Sequence, residues 1–222
     1  MTDTRHDARP RWWIVALVLL GVAALAFAIG RFSTFGSAGV ASAPGTDSAD
    51  AGFARDMQVH HAQAVEMAMV IYRTTDDEEI RVLSYDIATG QAAQRGEMFD
   101  WLVTWGLPQA GGPMMAWMTA SDAHAGHGGA SGEPLSDEEL RIAMGMASAA
   151  ELSDLRSATG TDADCLFLEL MIRHHEGAIP MTEALLELGS DPRALEVAES
   201  MKNGQTAEIA AMQAMQLRLG CD

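Results

Sequence analysis

The sequence predicts an all-α protein: a four-helix bundle built from two repeated helical hairpins, with one transmembrane helix ahead of it. Three observations carry this prediction. The first is a repeat. Residues 53–67 (FARDMQVHHAQAVEM) and 167–181 (FLELMIRHHEGAIPM) share the pattern F-x3-M-x2-H-H-x2-A-x2-M at a gapless offset of 114 residues. The second is period: apolar residues recur at three- and four-residue steps through both halves, as on a helix face turned to a core. The third is that no stretch alternates apolar and polar residues as a half-buried strand would.

The elements follow in order. Residues 12–30 (WWIVALVLLGVAALAFAIG) form an uncharged apolar run, close to the ~20 residues a helix needs to cross a bilayer. Arg5, Arg9 and Arg11 precede it and Arg31 follows, which places residues 1–11 in the cytoplasm and the rest outside. The rival reading is a cleaved signal peptide with Ala41-Ser42-Ala43 as its site. The length of the run and the position of Arg31 favour an uncleaved anchor. Residues 31–50 are rich in small residues and read as a flexible tether.

Residues 51–107 form the first hairpin. Phe53, Met57, His60/His61, Ala64, Met67 and Ile71 make the stripe of its first helix. The sequence TDDE at 75–78 is a capping box for the next helix, which Gly106 and Pro108 end. Residues 108–164 are a connection holding a Met/His/Gly-rich segment at 111–132 and two further capping boxes, SDEE at 136–139 and SAAE at 148–151. Residues 165–222 repeat the hairpin. Its first helix runs over about residues 164–188 and carries Pro180, which should kink it. Asp191-Pro192 starts the second helix and Gly220 stops it.

The ends of an antiparallel hairpin lie side by side, so Cys165 and Cys221 are placed for a disulfide; two free thiols, one a soft metal ligand, are the alternative. An oxidising compartment permits the bond. In an up-down-up-down bundle the first and third long helices run parallel, and both His pairs fall in one layer of the core.

Residues 44–222 hold ten basic and 29 acidic residues, a formal charge of −19. Such a surface repels nucleic acid, which is set aside as a partner. No phosphate loop, nucleophile elbow or C-x-x-C is present, and nothing supports hydrolysis.

The chemistry lies in the repeat. Met57, His60 and His61 share a helix face, with Met67 two turns beyond; Met171, His174, His175 and Met181 reproduce the set. Thioether selects Cu(I), and imidazole serves Cu(II) and Zn(II) as well. Binding needs neutral imidazole, so affinity should fall near pH 6. The competing reading is plain core packing, methionine being common core filler, although two adjacent His are costly to bury unsatisfied. A di-iron bundle needs Glu-x-x-His motifs, and none occurs here. Haem ligated by His and Met ranks low without C-x-x-C-H. Met114, Met115, Met118, His124 and His127 form an accessory metal candidate, with Trp117 near enough to cover a soft cation; a chance cluster in a linker is the alternative.

The segment FLELMIRHHEGAIPM, followed by Gln205, Glu208, Ile209 and Met212, resembles the bacterial family known as domain of unknown function 305. The resemblance covers residues 50–220, and the M-x-x-H-H-x-x-A signature occurs twice. It implies a helical bundle of ferritin-like appearance, outside the cytoplasm, binding copper through the Met and His residues of the repeat and contributing to copper tolerance. The two halves differ at Gln94-Arg95, where the second has Glu208-Ile209. The resulting expectation is a membrane-anchored copper buffer or chaperone, not an enzyme. Its rivals are a metal-free partner of a membrane complex and a metal-dependent oxidase.

Overall fold

The computed structural model describes residues 43–121 and 135–221. The apolar run at 12–30 lies outside the described residues; among those described, no helix is long and apolar enough to cross a membrane. In chain order the helices are α1 (Ala49–Thr74), α2 (Glu78–Thr104), α3 (Asp137–Ala143), α4 (Ala149–Ser157), α5 (Gly160–Leu188) and α6 (Pro192–Leu219), with one 3-10 turn at Ala116–Met118.

Local chemistry sets the helix ends. Ser48 opens α1, its hydroxyl accepting the Ala51 N–H. Ser136 and Ser148 form the two expected capping boxes with Glu139 and Glu151. Asp191 caps α6 with Pro192 in the first turn. The box at 75–78 is not formed as expected. Asp77 is the cap of α2 and accepts the N–H groups of Glu79 and Ile80, while the Thr75 hydroxyl accepts that of Asp77. A carboxylate at this position both satisfies orphan amides and faces the positive end of the helix dipole. Helix α5 starts four residues earlier than the sequence suggests, because Gly160 takes φ +61° and turns the chain sharply out of α4. It runs on through Pro180 to Leu188.

The long helices pair as hairpins, α1 with α2 and α5 with α6, and α1 lies along α5. Contacts at the ends fix the directions. Asp50, near the start of α1, accepts the N–H groups of Ser190 and Asp191 just after α5, both at 3.0 Å. Arg193 at the start of α6 meets Glu97 near the end of α2, and Arg218 at the end of α6 meets Asp77. Helix α1 is therefore antiparallel to α5, and α2 antiparallel to α6. This corrects the expected up-down-up-down order with its parallel first and third helices.

The cause is the connection. Helix α2 ends beside the start of α1, and the chain then climbs the bundle before α5 begins. Trp117 packs edge-on to Phe53, Met144 reaches His60, and Arg156 of α4 pairs with Glu66 further along α1. As expected, Cys165 and Cys221 are bonded, with Cα atoms 5.5 Å apart, tying the start of α5 to the end of α6. In the chain-entropy account a loop of this size contributes roughly 4 kcal/mol.

The antiparallel docking divides the core in two. One cluster contains Phe53, Met57, Trp101, Met181 and Met201; the other contains Met67, Ile80, Phe167, Met171 and Met212. Between them, residues 144–147 are buried against α1 and α5. Their approach depends on two glycines. Gly145 takes φ +74°, and a Cβ on Gly177 would lie 1.8 Å from the Met144 carbonyl oxygen. Gly177→Ala should therefore cost roughly 2–4 kcal/mol in thermal or denaturant unfolding. Gly96→Ala, at an exposed helical site with open space, should gain about 0.5–1 kcal/mol. Equal stability of the two variants would contradict the close approach.

Candidate metal centre

Neighbouring side chains on a helix point about 100° apart, so the two rings of a His pair must find different surroundings. His60 turns to the connection, its Nε2 lying 3.0 Å from the Met144 carbonyl oxygen. His61 turns to α2, with Nε2 2.7 Å from Gln94 Oε1. Helix α5 repeats the division. His174 Nε2 lies 3.1 Å from the backbone oxygen of His60, and His175 Nε2 lies 2.6 Å from a carboxylate oxygen of Glu208. All four rings are fully buried. The rings of His60 and His174 lie 3.7 Å apart between centroids, at the crossing of α1 and α5. The two pairs thus occupy one layer, as expected, even though the helices run in opposite directions.

These partners fix the tautomers. Carbonyl and carboxylate oxygens only accept, so each Nε2 carries a proton and donates it. In the neutral ring Nδ1 then holds a lone pair. The Nδ1 atoms of His60, His61, His174 and His175 are all buried without a hydrogen-bond partner among the described residues. A buried acceptor left unmade is unfavourable, and four in one layer mark the place where the core's polar chemistry is incomplete.

Burial also controls protonation. It lowers the pKa of His60 to about 4, opposed by the Met144 carbonyl, and that of His61 to about 3, helped by the neighbouring His60. His174 is pushed well below the usual value by burial and then by His60. Protons therefore do not compete for His60, His61 and His174 near pH 6, which corrects the expectation drawn from free imidazole.

Among the described residues, no three or more His, Cys, Asp or Glu are placed to hold a metal ion together. The other soft donors flanking this layer are thioether sulfurs. Met57, Met67, Met171 and Met181 are fully buried, but the antiparallel docking groups Met57 with Met181 and Met67 with Met171. The donor set of neutral imidazole and thioether suits a soft ion.

The accessory candidate is placed differently. Met115 and Met118 are core residues, and Met114 packs against the same cluster. Asp56 holds this turn in place, accepting the Met115 N–H at 2.7 Å and the Trp117 indole N–H at 2.9 Å. His124 and His127 lie outside the described residues. The sequence reading missed Gln63, whose amide exchanges two hydrogen bonds with the backbone of Ala147 and holds residues 144–147 in place. Gln91 and Gln205, both buried, pair in the repeat but carry no site role in the sequence reading. The 114-residue offset, which pairs Gln91 with Gln205 and Gln94 with Glu208, was the available signal.

The family described as Domain of unknown function (DUF305) matches residues 50–216, and the chain belongs to that family. A DUF305 protein of Streptomyces coelicolor with a secreted-protein designation is 39% identical, with TM-score 0.67 over 80% of this chain and 96% of that one. A DUF305 fragment from Deinococcus radiodurans is 30% identical, with TM-score 0.62 over 77% of this chain and 96% of that one. The Cu(I)-bound form of CopM shares the fold at 22% identity and TM-score 0.55, over 76% of this chain and 96% of that one. No curated protein matches.

The buried imidazoles predict a pH dependence of stability. His60, His61 and His174 stay neutral in the native state but bind protons near pH 6.5 once unfolded. Unfolding therefore takes up protons between about pH 4 and pH 6.5, and stability is full above that window and falls as pH drops through it. Each such imidazole adds roughly 1.4 kcal/mol per pH unit to the slope. Denaturant melts followed by circular dichroism should weaken steeply between pH 6 and pH 4. Constant stability across that range would show that the rings are solvated.

Proposed function

We propose that this chain is a membrane-anchored, extracytoplasmic copper-binding protein, acting as a buffer or chaperone through its two M-x-x-H-H segments. The observation that carries the reading is the layer of four buried imidazoles whose Nδ1 lone pairs have no partner, bounded on both sides by buried thioethers. A cuprous ion takes few ligands and prefers sulfur and nitrogen, the donors concentrated here. CopM, which shares the fold, has been solved with Cu(I), Cu(II) and silver bound. That likeness supports copper as cargo, while the assignment to Met57, His60, His61, Met67, Met171, His174, His175 and Met181 rests on the chemistry of this core. An external location is supported by the disulfide and by the secreted-protein designation of the Streptomyces relative. The anchor itself rests on the apolar run at 12–30.

A second reading, a metal-free partner of a membrane complex, has one observation in its favour. Val82, Tyr85, Phe99 and Val103 are each more than half exposed, and helical spacing puts them on one side of α2.

The deciding variant changes His60, His61, His174 and His175 to Gln. A glutamine amide can keep the N–H donation made by Nε2, but it has no counterpart of the Nδ1 lone pair. Copper titration with elemental analysis should show tight binding in the unaltered chain. The helical variant should lose at least one copper per chain, or bind at least ten-fold more weakly, as expected for loss of metal ligands. Equal stoichiometry and affinity in the two proteins would refute the site.

A further inference from the structure

The His layer is closed on one side by residues 144–147, which are buried and held by His60 and Gln63. The side facing α2 and α6 is different. A cavity of about 160 Å³ opens there between the two helices. Its lining is paired by the 114-residue repeat: Gly90 with Gly204, Gln91 with Gln205, and Gln94 with Glu208. Gln94 and Glu208 are also the residues that hold the Nε2 atoms of His61 and His175. One hydrogen bond on each side therefore separates the cavity from the imidazoles.

The cavity is polar where a packed helix interface would be apolar. Gln91 and Gln205 are each 5% exposed. Among the described residues, Gln91 Oε1 and both amide atoms of Gln205 have no hydrogen-bond partner. Groups this buried are costly unless something binds them. Oxygens from Gln91, Gln205 and Glu208 form a negative and polar set suited to a partly hydrated cation. Gly90 and Gly204 are exposed at the mouth of the cavity, where a Cβ at either position meets nothing within 4 Å, and their place in mid-helix costs about 1 kcal/mol each relative to alanine.

We propose that this cavity is the port through which a cation reaches the His layer, with Gln91 and Gln205 replacing its lost water and the Gln94 and Glu208 side chains swinging aside as the inner gate. This rests on the copper reading of the layer and adds the route to it. Swinging Gln94 or Glu208 outward breaks one hydrogen bond to His61 or His175 and requires no movement of backbone. The two gates differ in charge, so Glu208 attracts a cation more strongly than Gln94 does.

The test fills the port without touching a candidate ligand. Gly90→Leu with Gly204→Leu places two isobutyl groups at the mouth of the cavity, and Gly96→Leu is the control, an exposed α2 glycine that does not line it. Full-length chains are mixed with Cu(I) held by a weak colorimetric chelator, and uptake is timed by stopped flow. The port predicts uptake slowed ten-fold or more in the double variant, with unchanged final stoichiometry, and no change in the control. An unchanged rate in a helical double variant would overturn it.

A second readout needs no copper: exchange of the His61 and His175 imidazole N–H protons with water, followed by NMR in metal-free protein. The port predicts slower exchange in the double variant, and equal exchange would overturn it. If the unaltered chain takes up no copper, the copper reading falls, while the exchange measurement still decides whether this cavity is the way in.

Discussion

Four imidazoles buried at one helix crossing dictate the architecture of this protein. Each Nε2 proton needs an acceptor in a place without water, and the fold supplies four different ones: a loop carbonyl, a helix carbonyl, an amide and a carboxylate. The loop carbonyl belongs to Met144, so the connection has to thread the middle of the bundle, and Gly145 and Gly177 give it room. The helix carbonyl belongs to His60 and receives the proton of His174, which holds α1 and α5 at close range. The amide and carboxylate come from α2 and α6, so all four long helices converge on one polar layer.

The same interaction explains why the two halves are alike but not identical. The hairpins are related by a repeat, and both His60 and His174 donate to a backbone carbonyl, but the two carbonyls come from different elements. One takes the partner helix and the other takes the connection. The outer pair diverges chemically, with Gln94 facing His61 and Glu208 facing His175.

Much of this was legible in the sequence. Periodicity gave the helices, the Ser-x-x-Glu boxes at 136 and 148 gave two starts, and hairpin logic gave the Cys165–Cys221 bond. Helix period reports which face is buried but not which way its neighbour runs. That is why the first and third long helices were expected parallel, whereas their antiparallel docking groups Met57 with Met181. The long connection, which decides the direction, has no pattern that encodes its path. Protonation was misjudged for a related reason. Free imidazole titrates near neutrality, and only the full burial of His60 and His61 shows how far that value falls. In the connection, Met115 and Met118 looked like a soft-metal cluster, but apolar thioethers beside a core are more often absorbed into it.

X-ray absorption at the copper edge of the loaded protein tests the central claim most directly, because it reads the ligand atoms. The first shell should contain both imidazole nitrogen and thioether sulfur, with the nitrogen contribution lost when His60, His61, His174 and His175 become Gln. A shell of oxygen alone, unaffected by those substitutions, would place the metal on the acidic surface and leave the His layer as a purely structural core.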